Sequence, residues 1–406
     1  MKNNEIKVTT DRVKKDKLKN NIKLDYLYKF LQSLDISAAI WMLYLAYKGL
    51  SLVEIGILEG LFHVVSLICE VPTGAIADIL GRKNTIVIGR LLSALSSILM
   101  LLGTSFGGFA IAFSIQAISY NLNSGSEEAL VYDSLKLIGG EEEYIKVNGT
   151  LNLIIEVAQG VAVLVGGILS DYAFSYSYIL AVIISLCAFG VSLGFKEPEI
   201  HEDKAVRLNA IQHFKTCFKV MKNNKKIILM MLFFEGIFMV GTTTHFYSQQ
   251  YFSDLGYSRS YISIIYVVAS VGCALGAKYV YIFEEKLKDK IIYVLPAVSA
   301  IALMIFSFIG SVGSIASFMI FSVTNNMLYP VSSSYINKLI PSEQRATLIS
   351  VQSMCFSIFM IVFFPLMGLL GQVISLRLSF TILSIVLGAM GVIGYYSKEH
   401  KAQRRR

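Results

Sequence analysis

The chain has 406 residues, 55% of them hydrophobic and only 16% charged, with a formal net charge of +8 and a mean hydropathy of +0.61. A soluble globular chain carries roughly 25% charged residues, so the composition excludes an ordinary soluble protein. Apolar runs of about 20 residues recur, each enough to cross a hydrocarbon core, and their non-alternating Leu, Ile, Phe and Gly content excludes a membrane barrel.

In chain order, a polar, basic segment occupies residues 1–24, with no short apolar core or small-residue cleavage site of a leader. The first span is expected to act as an uncleaved anchor. Six spans are then predicted at about 25–46, 52–79, 84–103, 106–136, 145–169 and 173–194. A linker follows at 196–226, in which Ala205–Asn223 carries Val206, Ile211, Phe214, Phe218 and Val220 at helical spacing. This pattern predicts an amphipathic helix lying on the inner membrane face. Six more spans are predicted at about 227–250, 258–282, 291–310, 314–338, 346–372 and 377–397, with a basic tail at 398–406. The second set trails the first by about 200 residues in the same orientation. The expected fold is therefore an all-α membrane protein of 12 transmembrane helices, a 6+6 parallel repeat of two six-helix bundles covering 25–195 and 227–397.

Lys and Arg set the orientation. Lys14, Lys15, Lys17, Arg82, Lys83, Lys136, Lys146, eight linker cations and Arg404–Arg406 share one side; the other holds little beyond Lys48, Arg259 and Arg377. Both termini and the linker are thus expected to be cytoplasmic. The positive charge reads as a topology signal rather than a nucleic-acid surface. The five cysteines (Cys69, Cys187, Cys217, Cys273, Cys355) are scattered without a CxxC pair. They are expected to be free thiols, with no metal site and no cofactor.

Between spans two and three stands GAIADILGRKN, Gly74–Asn84. Asp78 falls near a helix C-terminus, where the dipole disfavours an anion. It therefore needs a compensating partner, and span eleven begins on the same side with PSEQRATL, whose free N–H groups and Arg345 would supply one. Asp133, near the inner end of span four, is a candidate partner for Arg82. Gly74 would allow close helix approach and Gly81 a sharp turn.

This stretch resembles the G-x-x-x-D-x-x-G-R-K signature of the major facilitator superfamily, and the likeness extends over about 25–397. In that family the motif forms a charge latch favouring the outward-open state; the resemblance assigns this role to Gly74, Asp78, Gly81, Arg82 and Lys83, with Asp133 and Arg345. The second half keeps only an echo, GAKYVYIFEEKLKDK (Gly276–Lys290), so a one-sided latch is expected. IWMLYLAYKGLSLVEIGILEG and SGSEEALVYDSL resemble a bacterial branch of multidrug-efflux-like permeases. The span-five stretch Ala158–Leu169 keeps Gly166 and Gly167 but has Ala162 and Val163 where family antiporters carry Gly-Pro, which counts against antiport.

Ionisable residues inside spans default to a functional reading. They are Asp35, Glu59, His63, Glu70, Arg90, Glu127, Glu128, Glu156 and Glu235. Asp35 and Glu156 fall near the midplane and, with Glu128, are the proton-coupling candidates. One of Glu127 and Glu128 is expected to pair with Arg90. The resemblance places spans one, four, seven and ten around the cavity. Its candidate lining is Gln32, Trp41, Gln116, Tyr120, Asn123, Glu235, Asn325, Asn326 and Tyr329, with Phe233, Phe234, Phe238 and Phe246 nearby. A mildly acidic, aromatic cavity suits an amphipathic, often cationic solute.

The expected function is secondary transport across the cytoplasmic membrane, with proton-coupled efflux of a hydrophobic or cationic drug-like compound as the leading reading. A nutrient or metabolite importer of the same fold is the alternative. A membrane-embedded lipid-modifying enzyme is remote, since no HxxxD, HExxH or clustered nucleophile occurs. No GxxxxGK[ST] loop occurs either, so a gradient rather than nucleotide hydrolysis would supply the work. The expected partners are a small-molecule substrate, protons and lipid; the resemblance implies a monomer.

Overall fold

The computed structural model describes residues 2–198, 225–310, 312–337 and 345–403. The amphipathic linker segment and the tail Arg404–Arg406 lie outside the described residues, as do the side chains of Asp78 and Arg345.

Among the described residues every regular element is helical. The first half runs α1 Lys2–Ser33, α2 Trp41–Tyr47, α3 Leu52–Leu80, α4 Arg82–Leu102, α5 Phe106–Asn123, α6 Ser126–Ile138, α7 Tyr144–Tyr172 and α8 Phe174–Ser192. The second runs α9 Lys225–Asp254, α10 Arg259–Leu287, α11 Ile291–Phe308, α12 Val312–Asn337, α13 Arg345–Val373 and α14 Leu376–Gln403. Single 3-10 turns at Glu141–Glu143 and Lys288–Lys290 lead into α7 and α11. Among the described residues, seven stretches are long and apolar enough to cross a membrane.

Two predicted spans are interrupted. The first breaks at 34–40, where Asp35 accepts hydrogen bonds from the Ser37 backbone N–H (3.0 Å) and hydroxyl (2.6 Å). A side chain that captures a nearby N–H competes with the helical ladder. The fourth breaks at Ser124–Gly125, where Gly125 takes φ +76°, a conformation that ends a helix at low cost only for glycine.

Helix starts follow the sequence. Ser51 and Glu54 form a reciprocal capping box ahead of α3: the Ser51 N–H donates to Glu54 (2.8 Å), and the Glu54 N–H to Ser51 Oγ (3.3 Å). Ser105 and Ser258 cap α5 and α10.

The chain forms two units. Unit 1 holds residues 1–38 and 65–210; unit 2 holds residues 39–64 and 211–406. In unit 1, α4 packs on α5 and α8, while α1 packs on α6, α7 and α8. Tyr28, Ile86, Leu130 and Phe195 form one buried cluster there, and Val131, Leu135, Val147 and Leu151 another. In unit 2, α11 packs on α12 and α14, and α9 on α13. The α4–α5–α8 trio thus has a counterpart in α11–α12–α14, about 200 residues on. Phe252, Phe306, Phe318 and Phe380, from α9, α11, α12 and α14, make the aromatic core of unit 2 at ring separations of 5.2–5.7 Å. Residues 39–64, which hold α2, the turn after it and the start of α3, belong with the second half of the chain.

Candidate functional site

In unit 1 polar groups of two helices, α1 and α4, converge on Glu127 of α6. It stands in the first turn of α6, where the dipole favours an anion. Tyr28, Lys29 and Gln32 reach it from α1, and Arg90 reaches it from α4. The Tyr28 hydroxyl donates to Oε1 (2.5 Å), Gln32 Nε2 donates to Oε1 (3.1 Å), and the Lys29 ammonium pairs with Oε2. Arg90 Nη2 stands 3.5 Å from Oε1, and its guanidinium lies over the Tyr28 ring. Glu127 is 5% exposed, so its charge has left water and depends on these partners.

Asp25, one turn before Lys29, is 1% exposed. Its Oδ2 has no hydrogen-bond partner among the described residues. It lines a 60 Å³ cavity with Glu128, Tyr144, Asn148 and Asn152. An adjoining 180 Å³ cavity is lined by Lys29, Gln32, Arg90, Tyr120, Asn123, Glu127 and Glu128, with Ser124 and Gly125.

Unit 2 carries a cavity of 190 Å³, lined by Phe238, Thr242, His245, Phe246, Asn325, Asn326 and Tyr329 among others. Phe238 and Tyr329 stack face to face at 3.9 Å and 4°. Asn325 Nδ2 donates to the Ile237 carbonyl (3.3 Å); a Cβ on Gly241 would collide with its amide. Glu235, buried one turn before Phe238, accepts from Gln352 Nε2 (2.6 Å).

The sequence candidates fall into separate places. Gln32, Tyr120, Asn123 and Glu128 line the charged cavity of unit 1, and Asn325, Asn326 and Tyr329 the aromatic cavity of unit 2. Trp41 is packed within unit 2, edge-on to Phe246 (5.3 Å) and stacked on Phe364 (6.4 Å). Gln116 and Glu156 are exposed on α5 and α7. Asp35 is exposed and tied to Ser37. Arg90 is closest to Glu127 of the adjacent glutamates.

At the α3–α4 turn, Gly81 takes φ +84° and caps α4 without a side chain. The exposed carboxylate of Glu197, just beyond α8, fills that place: the Arg82 and Lys83 backbone N–H groups each donate to it at 2.7 Å. Arg82 Nε lies 3.8 Å from Asp133 Oδ2. Among the described residues, a Cβ on Gly74 would meet nothing within 4 Å.

Sequence reasoning did not single out Tyr28, Lys29, Asp25 or Glu197. The first three share the C-terminal turns of α1 with Gln32, a polar cluster at i, i+3, i+4 and i+7 that a helical wheel exposes. For Glu197 the signal is a helix start lacking a Ser, Thr, Asp or Asn cap, with Lys-Glu-Pro-Glu soon after span six. Glu197→Ala is expected to lower stability by about 0.5–1 kcal/mol, the low end for a lost cap because the carboxylate is exposed. Glu197→Gln should keep part of this. Thermal unfolding of both variants in detergent checks it; an unchanged melting temperature in Glu197→Ala would show that the cap contributes nothing.

Comparison with known proteins gives a consistent picture. The chain is 25% identical over 372 residues to an uncharacterized MFS-type transporter, YxaM of Bacillus subtilis (strain 168), covering 87% of this chain and 90% of that protein. Among solved structures it resembles the nucleoside transporter NupG (TM-score 0.74, 13% identity, 94% of this chain and 98% of that one). It also resembles a D-xylose-proton symporter (TM-score 0.69, 16% identity, 93% and 97%). At these identities the structures speak for the fold alone. The Major Facilitator Superfamily model matches residues 27–323 and 248–406, together nearly the whole chain, and the protein therefore belongs to that superfamily of multi-pass membrane transporters.

Proposed function

We propose that the protein is a proton-coupled secondary transporter of a small polar solute in the cytoplasmic membrane. In this reading it has twelve transmembrane helices with both termini and the linker cytoplasmic. It works as a monomer, by alternating access of its two halves around a midplane site. The chain lacks a nucleotide-binding loop, so the driving force is a gradient.

The observation that carries the coupling is the charge count around Glu127. Asp25, Glu127 and Glu128 stand against Lys29 and Arg90, one positive charge short. A proton on this cluster supplies the missing charge, and Asp25, buried with one oxygen unpaired, is the group proposed to carry it. Asp35, Glu128 and Glu156 are more exposed coupling positions and serve as comparisons.

Proteoliposomes loaded with D-xylose, uridine or tetraphenylphosphonium, with a proton gradient imposed in either direction, test this. Gradient-driven movement of at least one probe is expected. In Asp25→Asn the gradient dependence should vanish while equilibrium exchange persists. Intact gradient dependence in Asp25→Asn sinks the assignment of Asp25, and movement of no probe under any gradient sinks the transport reading for these solute classes.

A second reading, export of a lipophilic cation, is favoured by the Phe238–Tyr329 stack and Phe246 in the unit 2 cavity. Outward, gradient-dependent movement of tetraphenylphosphonium alone would select it.

A further inference from the structure

Three rings stand in one column at the 190 Å³ cavity of unit 2. Phe234 and Phe238, one turn apart on α9, lie nearly parallel at 6.4 Å and 20°. Phe238 in turn stacks on Tyr329 of α12 at 3.9 Å and 4°. Exposure rises along the column, from 0% at Phe234 and 2% at Phe238 to 48% at Tyr329. Tyr329 lines the cavity, so the ring face that Phe238 leaves uncovered is open. A column buried at one end and open at the other is a stacking platform, and a further flat ring laid on Tyr329 continues the series. The other aromatic wall is also fixed in place: Phe246 is edge-on to Trp41 (5.3 Å) and His245 (5.3 Å) and lies 6.0 Å from Phe364. Walls held before a solute arrives lose little side-chain freedom when it binds.

The same cavity carries accessible polar groups. Thr242 follows Phe238 by four residues on one face of α9, and Asn326 precedes Tyr329 by three on α12. Both are half-buried and His245 is exposed. Asn325 differs: it is 6% exposed and gives its amide to the Ile237 carbonyl, so it stands within the wall. One turn is about 5.4 Å, which sets Asn326 within reach of the edge of a ring stacked on Tyr329. A threonine hydroxyl, an asparagine amide and a neutral imidazole each donate and accept. Among the described residues lining the cavity, none is Asp, Glu, Lys or Arg, so an ion brought there finds no counter-charge. The volume also falls below the roughly 300–1,000 Å³ of pockets for drug-sized ligands, which favours a solute of one or two rings over a four-ring lipophilic cation.

We propose that this cavity binds a small, uncharged, planar heteroaromatic ring, stacked on Tyr329, with its edge N–H and C=O groups met by Asn326, Thr242 and His245. This deepens the transport reading above and rests on it for the claim that the bound ring is cargo. Binding is measured without any gradient, so the two can fail separately.

The test is thermal stabilisation of the purified full chain in detergent by uracil, adenine and nicotinamide, with D-xylose and tetraphenylphosphonium as comparisons. Saturable stabilisation by at least one of the three rings is expected. Dihydrouracil and cyclohexanecarboxamide keep a polar edge and lose the flat ring, so each should bind more weakly than uracil or nicotinamide. Tyr329→Ala should weaken the response by roughly tenfold in concentration. Tyr329→Phe, which keeps the ring, should retain it, a rescue that loss of the tyrosine hydroxyl alone would not allow. Asn326→Ala should weaken it by roughly three- to tenfold. Response to none of the three rings overturns the proposal. So does a response that Tyr329→Ala leaves unchanged or, where that variant does not fold, one that Asn326→Ala leaves unchanged. Equal binding of the saturated counterparts, or a response to D-xylose or tetraphenylphosphonium alone, overturns it as well.

Discussion

Glu127→Ala is expected to be the most damaging single substitution in the first half of the chain, costing about 3–5 kcal/mol and abolishing transport. The carboxylate is the shared partner of Tyr28, Lys29, Gln32 and Arg90. Removing it leaves Lys29 and Arg90 without the one carboxylate that both of them contact, and their side chains are only 15% and 11% exposed. Water therefore rescues little of the loss. A buried ion cluster is weak evidence for net stability in itself, because desolvation offsets much of the Coulomb attraction. Replacing Lys29, Arg90 and Glu127 together by methionine is accordingly expected to recover most of the melting temperature while leaving transport absent. Melting curves in detergent and proteoliposome uptake separate the two readouts. Should Glu127→Ala unfold at the parent's temperature, the cluster is not holding α1, α4 and α6 together.

Glu127 also shows where sequence reading stops. The all-helical membrane class was legible, because hydrophobic length is a summed property that survives errors at single residues. Which of two adjacent glutamates turns inward is a matter of helical phase. Read as one helix over 106–136, span four carries a single phase from Gln116 to Asp133. The structure breaks it at Ser124–Gly125 and restarts it at Ser126, which sets Glu127 inward and Glu128 at the cavity rim. The same limit applies to Asp35. A carboxylate near the middle of an apolar run reads as a buried functional charge, whereas here it closes a local turn with Ser37. Asp25 reads as a boundary residue and is nearly completely buried. Burial depends on what the other helices bring, and one helix's spacing does not contain that.

The α2–α3 segment illustrates the same point from the packing side. GxxxG spacing at Gly56 and Gly60 is visible in the sequence and marks a face for close helix approach. The sequence does not name the partner, which is Pro365 of α13. A Cβ on Gly56 would lie 2.8 Å from the Pro365 Cα, and one on Gly60 would lie 3.2 Å from the proline ring. Proline has no N–H, so it leaves a carbonyl one turn back without its helical donor. Nearby, Tyr247 of α9 donates its hydroxyl to the Phe364 carbonyl (2.9 Å) and lies 3.4 Å from that of Leu52.

Gly368 is the point on this surface with the least tolerance, and Gly368→Ala is the second substitution expected to have a large effect. Any Cβ there collides with the Leu52 carbonyl and comes within 2.7 Å of the Tyr247 hydroxyl. Neither neighbour is a flexible side-chain end: one is backbone, and the other is a fully buried tyrosine held by its hydrogen bond. Overpacking of this kind costs about 1–3 kcal/mol. It acts on the packing of residues 39–64 with the second half of the chain, where Leu52 meets α13. In the alternating-access mechanism proposed above, a penalty on one of the two states shifts their ratio by about 5- to 150-fold, so turnover is expected to fall although each half remains folded. Trp41→Cys in a cysteine-free background reports the state directly, since Trp41 is buried against Phe246 and Phe364. It should resist a membrane-impermeant maleimide in the parent and be labelled rapidly once Gly368→Ala is added. Tyr247→Phe, which removes the hydroxyl and adds no bulk, should give an intermediate rate. Equal labelling in all three backgrounds would mean that the Gly368–Leu52 approach does not control access to this side of the protein.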